Sequence, residues 1–182
     1  MSKIWIKFYK DGTLNETLNY VDLQKRITEV SLKLVKAGIK KQDRVIVMMN
    51  NSIKAVLYYL ALKDLKAIAV PLSPKESQTK LGYTINNCKP RLLIDDLGEI
   101  KILTTASQTI NLSKEIQTII YTSGTTGQPK GVQLTHANVI FQVQTVTPLL
   151  QIDEFDRAIS ILPIWHIFER CMEYCFIFSG AA

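Results

Sequence analysis

The sequence predicts an α/β fold in which a parallel sheet is wrapped by helices, and three observations point to it. Segments with helical spacing alternate with short apolar runs along the 182 residues, a pattern typical of strands joined by helical crossovers. Residues 45–49 (Val-Ile-Val-Met-Met) are continuously apolar, as in a parallel strand that is covered on both faces. The composition, 47% apolar and 21% charged, is ordinary for a globular domain with a sizeable core.

The strands are predicted where apolar or β-branched runs are bounded by polar turns. In chain order these runs are 5–9, 45–49, 67–72, 91–94, 100–103, 117–121 and 158–162. A turn at Asp11-Gly12 follows the first run, and the polar residues 104–114 are expected to form a surface connection.

The helices are predicted from apolar spacing and from capping residues. They cover residues 20–36, 53–66, 73–87, 136–147 and 167–178. The second helix begins after Asn51-Ser52, and the third begins at a capping box over residues 73–76. The fourth begins after Thr135 and stops at Pro148.

Charge and cysteine content exclude several classes of protein. The net charge is +6, but the lysines are scattered, so no nucleic-acid-binding tract is indicated. Cys88, Cys171 and Cys175 are odd in number and lack a metal-binding spacing, and we interpret them as reduced and structural. Residues 1–10 lack the apolar core of a signal peptide, and no apolar run is long enough to span a bilayer. The expected location is cytoplasmic, with peripheral contact to a membrane left open.

The most informative stretch is a glycine- and hydroxyl-rich loop over residues 121–132. It follows the strand at 117–121 and is expected to lead into the helix after Thr135, a place where ligands bind in parallel sheets. Its glycines, which are expected to let the backbone turn sharply and approach a ligand closely, are Gly124, Gly127 and Gly131. Its hydroxyl and ammonium groups belong to Thr122, Ser123, Thr125, Thr126 and Lys130. Such a set of donors and positive charge suits a polyphosphate.

This loop has other interpretations. Gly-Thr-Thr-Gly alone is compatible with a polar surface turn. A Walker A loop requires Gly-Lys followed by Ser or Thr, whereas Lys130 stands between Pro129 and Gly131. The complete string 121–132 (Tyr-Thr-Ser-Gly-Thr-Thr-Gly-Gln-Pro-Lys-Gly-Val) resembles the phosphate-binding signature of the adenylate-forming superfamily. That superfamily includes acyl-CoA synthetases, luciferases and peptide-synthetase adenylation domains, and residues 134–138 are similar to its continuation.

A second motif, residues 162–170 (Leu-Pro-Ile-Trp-His-Ile-Phe-Glu-Arg), follows the last predicted strand. In isolation it indicates an ordinary helix start, with His166 as a surface histidine and Glu169-Arg170 as a solvated pair. Beside the phosphate loop it resembles the motif of the long-chain fatty-acid branch, which contains long-chain acyl-CoA synthetases and acyl-carrier-protein synthetases. Earlier segments resemble the family more weakly, and Lys66 stands where the family usually has a glycine.

The resemblance implies a two-step ligase reaction. A fatty-acid carboxylate attacks the α-phosphate of Mg-ATP to give an acyl-adenylate, and the thiol of coenzyme A or of an acyl-carrier protein then takes the acyl group. The nucleotide-binding residues implied are Thr122, Ser123, Gly124, Thr125, Thr126, Gly127 and Lys130. Thr122 is also implied as a ligand of Mg²⁺, and His166 as a residue beside the acyl and α-phosphate site.

Residues 1–182 are expected to be a partial N-terminal AMP-binding domain. The family's downstream Tyr-Gly-x-Thr-Glu segment, its ribose-binding aspartate and its C-terminal domain with the catalytic lysine are not in this sequence. We therefore expect an N-terminal fragment that has no ligase activity of its own. The alternative is a non-catalytic nucleotide-binding or interaction module that retains the phosphate loop. Acyl chain length, thiol acceptor and oligomeric state are left open.

Overall fold

A computed structural model describes residues 3–104, 115–122 and 128–181 of the chain, and it confirms the predicted α/β fold. The strands in these residues are β1 (Ile4–Lys10), β2 (Thr13–Asn19), β3 (Arg44–Val47), β4 (Ile68–Pro71), β5 (Leu92–Ile94), β6 (Ile100–Ile102), β7 (Ile116–Thr122) and β8 (Lys130–Thr135). The helices there are α1 (Tyr20–Lys36), α2 (Ile53–Asp64), α3 (Gln78–Cys88), α4 (His136–Leu149) and α5 (Ile167–Ser179). No helix within the described ranges is both long and apolar enough to cross a membrane.

Six of the strands form one sheet in the order β6-β5-β3-β4-β7-β8. Its centre, β5-β3-β4-β7, is parallel as predicted, whereas the edge strands β6 and β8 run antiparallel to their neighbours. Strands β1 and β2 pair separately as a hairpin around the predicted turn at Asp11 and Gly12. The carboxyl ends of β3, β4 and β7 therefore meet at one edge of the sheet, which we call the ligand edge because ligands bind there in such sheets.

The core covers both faces of the sheet because its central strands are apolar along their length. In β3, Val45 and Val47 pack in the cluster that contains α1 and α2, whereas Ile46 packs on the opposite face with residues of α3. The apolar residues that recur at helical spacing in α1 are all buried: Leu23, Ile27, Val30 and Leu34. The apolar packing on both faces fixes the strands whose carboxyl ends form the ligand edge.

Helix α3 begins later than predicted. The capping box expected over residues 73–76 is a turn, in which the Ser73 carbonyl accepts from the Glu76 backbone N–H at 3.0 Å. Ser77 is the N-cap instead, and its side chain accepts from the Lys80 N–H at 3.2 Å. Because Ser73 takes part in this turn, Ser77 and not Ser73 caps the helix.

The strand predicted at residues 158–162 is wrong. This segment pairs with no strand in the part of the chain that the structure describes, and Ile159 and Ile161 are 85% and 77% exposed. Apolar and β-branched residues favour a strand, but a strand also needs a partner for its backbone groups. The segment is instead attached to α5 by a side-chain hydrogen bond, in which the Ser160 hydroxyl donates to Glu173 Oε1 at 3.1 Å.

Candidate functional site

The described ends of the stretch 121–132, residues 121–122 and 130–132, belong to two paired strands, so a strand and not a helix comes next after β7. Strand β8 begins within this stretch, at Lys130, and pairs antiparallel with β7, so α4 begins only after β8, capped as predicted by Thr135. Strand β8 was not predicted, because only Val132 and Leu134 of its six residues (Lys-Gly-Val-Gln-Leu-Thr) are apolar. In the hairpin register Thr122 and Lys130 are cross-strand partners. The fold therefore brings together two of the predicted site residues.

The other predicted residues of the loop lie outside the described part of the chain. They are Ser123, Gly124, Thr125, Thr126 and Gly127. The pairing of Thr122 with Lys130 nevertheless fixes where the chain leaves and rejoins the sheet on either side of them. Both flanking residues are exposed, so a hydroxyl and an ammonium group are accessible to a ligand.

Strand β7 anchors this hairpin at the ligand edge. It runs parallel to β4, and the Thr118 hydroxyl donates to the Ala69 carbonyl at 2.9 Å across the strand pair. Thr122 is the last residue of β7, so it stands at the carboxyl end of the strand. This is the position expected for a group that contacts a ligand.

Tyr121 fastens the hairpin to α3. Its hydroxyl donates to Asn87 Oδ1 at 2.5 Å, and its ring packs edge to face against Tyr83 with centroids 6.4 Å apart. Burial raises the pKa of Tyr121 well above its usual value, so the phenol stays protonated and keeps donating.

Gly131 has a different role from the one predicted. It lies in strand β8, opposite Tyr121, and not in a tight turn. A Cβ at this position would lie 3.0 Å from Ile119 Cγ2 and 3.3 Å from Cζ of the Tyr121 ring. The missing side chain makes room for the tyrosine ring that fastens the hairpin.

His166 is the N-cap of α5 and is exposed. Its Nδ1 accepts from the Phe168 backbone N–H at 3.4 Å. In the neutral ring an accepting Nδ1 leaves the proton on Nε2, which is then able to donate to a ligand. The helix start predicted for this motif is confirmed.

The interpretation of Glu169 and Arg170 as a solvated pair is wrong, because they are only 5% and 4% exposed. The Arg170 guanidinium lies 4.8 Å from the centroid of the Tyr59 ring, a cation–π contact. Both of its terminal nitrogens lie 3.4 Å from Thr118 Oγ1. Since Thr118 belongs to β7, Arg170 ties α5 to the strand that ends at Thr122.

Asn51 is a supporting residue that the sequence analysis missed. It was predicted as part of a helix cap, but Ser52 caps α2 by accepting from the Ala55 N–H at 3.1 Å. The Asn51 side chain instead donates from Nδ2 to the Leu162 carbonyl at 2.6 Å and accepts at Oδ1 from the Ile164 N–H at 2.9 Å. The signal in the sequence that could have indicated this role is an amide side chain four residues after the end of β3, at the ligand edge.

Thr122 offers a single side-chain oxygen to a metal ion. Among the residues that the structure describes, no three His, Cys, Asp or Glu side chains are grouped so that they could hold a metal. Mg²⁺ prefers oxygen ligands and commonly binds through one or two protein groups together with substrate phosphates. These residues are compatible with a Mg²⁺ that arrives with a polyphosphate.

Solved structures with the same fold cover nearly all of this chain, whereas the chain covers about half of them or less. A long-chain-fatty-acid–CoA ligase from Archaeoglobus fulgidus matches with a TM-score of 0.82 and 22% identity, over 99% of this chain and 43% of that one. The O-succinylbenzoate coenzyme A synthetase of Bacillus subtilis in complex with AMP matches with a TM-score of 0.80 and 24% identity, over 99% of this chain and 51% of that one. At these identities the likeness shows the fold alone.

Curated sequences share shorter segments at higher identity. The probable acyl-activating enzyme 16 (chloroplastic) of Arabidopsis thaliana is 49% identical over 65 residues, which are 36% of this chain and 9% of that protein. A chloroplastic long-chain-fatty-acid–[acyl-carrier-protein] ligase of the same plant is 46% identical over 67 residues, which are 37% of this chain and 9% of that protein. The model of the AMP-binding enzyme family matches residues 4–182, so this chain belongs to the AMP-binding enzyme family.

Proposed function

We propose that this chain is the nucleotide-binding part of an enzyme that activates a carboxylic acid with ATP. The observation that carries the proposal is the pairing of Thr122 with Lys130 across the β7–β8 hairpin, at the carboxyl end of β7. A hydroxyl and an ammonium group thus flank a segment rich in glycine and hydroxyl residues. A polyphosphate has the negative charge and the acceptor oxygens that such a segment would bind.

Each part of the loop has a proposed role. Lys130 offsets the charge of the β- and γ-phosphates, while residues 123–127 supply hydroxyl and backbone N–H donors. Thr122 would help to hold Mg²⁺, which would neutralise phosphate charge there. In the reaction a carboxylate oxygen forms a bond to the α-phosphorus, and the bond to pyrophosphate breaks. Because the attacking and leaving groups are both anions, positioning and charge neutralisation supply the catalysis.

The finer proposal is that the acid is a long-chain fatty acid and that His166 lies beside its carboxylate and the α-phosphate. The motif at residues 162–170 and the exposed N-cap position of His166 support it. So do the names of the two plant relatives, an acyl-activating enzyme and a long-chain ligase. The thiol that takes the acyl group would belong to coenzyme A or to an acyl-carrier protein.

We also propose that residues 1–182 form part of a larger N-terminal AMP-binding domain. The support is that the chain covers 43% and 51% of two solved relatives while they cover 99% of it. The two plant relatives are named as an acyl-activating enzyme and a ligase, which favours this proposal over a non-catalytic binding module.

The test compares two lysines on opposite edge strands of the sheet. Lys130→Ala removes an ammonium group from β8, and Lys101→Ala removes one from β6. We expect Lys130→Ala to weaken Mg-ATP binding about tenfold or more, because a hydrogen bond to a charged group contributes roughly 1.5–3 kcal/mol. Titration calorimetry measures the affinity.

Two controls accompany this measurement. Lys101→Ala should bind Mg-ATP like the wild-type chain, and AMP, which lacks the β- and γ-phosphates, should bind both variants equally. An unchanged affinity of Lys130→Ala for Mg-ATP would contradict the proposed placement of the polyphosphate.

A further inference from the structure

We propose that Asn51 is a positioning residue for His166. Its side-chain amide holds the backbone turn that places His166 at the start of α5. The inference deepens the proposed function and rests on it, since there His166 lies beside the reacting carboxylate and α-phosphate. Neither the phosphate loop nor the motif at residues 162–170 includes Asn51.

The two hydrogen bonds of the Asn51 side chain reach the backbone on both sides of Pro163. Nδ2 donates to the Leu162 carbonyl at 2.6 Å, and Oδ1 accepts from the Ile164 N–H at 2.9 Å. A primary amide carries both a donor and an acceptor, so one side chain satisfies both backbone groups as a neighbouring strand would. The amide therefore fixes the position and the direction of the chain at Pro163.

The turn that follows continues from this clamp to the imidazole. The Ile164 side chain is only 2% exposed and packs in the main core cluster. The His166 N–H then donates to the Pro163 carbonyl at 2.8 Å, which closes the turn directly before α5. His166 is two residues beyond the amide that Asn51 holds, so a shift of the backbone at Ile164 moves the imidazole.

Asn51 also connects this turn to the ligand edge. It follows the carboxyl end of β3, and only β4 separates β3 from β7, the strand that ends at Thr122. Neighbouring strands are about 4.8 Å apart, so the ends of β3 and β7 are roughly 10 Å apart. From the other side, Arg170 ties α5 to Thr118 of β7. The histidine is thus held between two contacts with the sheet that carries the phosphate loop.

The neighbouring residue provides a matched control. Asn50 Nδ2 donates to Asp96 Oδ2 at 2.6 Å, and its backbone N–H donates to Asp96 Oδ1 at 2.7 Å. Asn50→Ala removes the first of these bonds and keeps the second, without touching residues 162–164. A second variant, Asn51→Asp, keeps the acceptor for the Ile164 N–H and replaces the donor with an oxygen that repels the Leu162 carbonyl.

The experiment is hydrogen–deuterium exchange of the full chain, read by mass spectrometry with residue-level fragmentation. It follows the Ile164 amide and the Cε1 hydrogens of the chain's two histidines, His136 and His166. In Asn51→Ala we expect the Ile164 amide to exchange about fivefold faster or more, the loss expected for one net hydrogen bond. The Cε1 exchange of His166 should change as well, while that of His136 should not. In Asn51→Asp, His166 should change although the Ile164 amide stays protected, and Asn50→Ala should leave both at wild-type rates.

Two results would overturn the proposal. One is wild-type exchange at both Ile164 and His166 in Asn51→Ala. The other is a joint change at Ile164, His166 and His136 in both Asn51 variants, which would give Asn51 a general role in folding. The measurement uses no nucleotide, so its outcome does not depend on whether the chain binds ATP.

Discussion

At Gly131 the constraint comes from the neighbouring side chains and not from the backbone. The residue lies in strand β8, and the Ile119 and Tyr121 side chains occupy the space that a Cβ would need. The Tyr121 ring in turn joins the hairpin to α3 through Asn87. A larger residue at this position therefore disturbs the packing that joins the β7–β8 hairpin to α3.

We expect Gly131→Ala to destabilise the chain by about 1–3 kcal/mol, as for other additions to a close-packed site. The control is Gly82→Ala in α3, where a Cβ would meet no atom within 4 Å. Because alanine is the better helix former, that variant should be more stable by roughly 0.5–1 kcal/mol. Chemical denaturation measures both differences, and a Gly131→Ala variant as stable as the wild type would contradict this packing.

Single residues of the site could be predicted only where they belong to a local pattern. Thr122, Lys130 and His166 stand in short motifs, so the sequence alone is enough to propose them as candidates. Asn51 and Arg170 act through contacts with residues 111 and 52 positions away, on elements whose packing a local pattern does not specify. Their roles became visible only with the fold.

Among the elements, helix α5 contributes one of the contacts to the exposed segment at residues 158–162. The Ser160 hydroxyl donates to Glu173, and Glu169 lies one helical turn earlier on α5. Burial raises the pKa of Glu173 to about 7; the bond from Ser160 opposes this rise, and the nearby Glu169 adds to it. The carboxyl group is therefore protonated in the folded chain at mildly acidic pH.

This pKa predicts how stability depends on pH. The unfolded value is 4.5, so between about pH 4.5 and 7 the Glu173 carboxyl binds more protons in the folded chain than in the unfolded chain. Stability from this group is therefore present at low pH and falls as the pH rises through that window. Glu173→Gln removes the titration, and its melting temperature should rise relative to that of the wild type between pH 5 and pH 8.

Comparison with the variant at each pH is necessary because His136 acts in the opposite direction. Burial lowers the pKa of His136, so its contribution to stability is lost as the pH falls. That contribution is common to both chains and cancels in the difference. A difference in melting temperature that stays constant from pH 5 to pH 8 would contradict the assignment to Glu173.

Elements were predictable to the extent that their own residues determine them. The apolar patterns of β3, β4 and α1 indicate which of their faces are buried. The structure confirms these three elements. Strand β8 forms although it was not predicted, whereas the strand predicted at residues 158–162 does not form. Both errors arise because strand formation depends on a pairing partner as well as on composition. The edge strand β8 has such a partner in β7, and residues 158–162 have none in the described part of the chain.

Across the whole molecule, one edge of the sheet collects the groups of the proposed site. Strand β7 ends at Thr122, the hairpin returns at Lys130, and the Asn51 amide beyond β3 holds the turn before His166. The apolar core on both faces keeps these strand ends in register. The central claim is therefore that the β7–β8 hairpin binds a polyphosphate at this edge.

Lysine footprinting tests this claim most directly. The wild-type chain is treated with an amine-reactive reagent, with and without magnesium tripolyphosphate, and labelling at each lysine is read by mass spectrometry. Lys130 and Lys101 are both exposed on edge strands, so both should be labelled without ligand. Our account predicts that magnesium tripolyphosphate protects Lys130 and leaves Lys101 unchanged, whereas equal labelling of Lys130 with and without the ligand would contradict it.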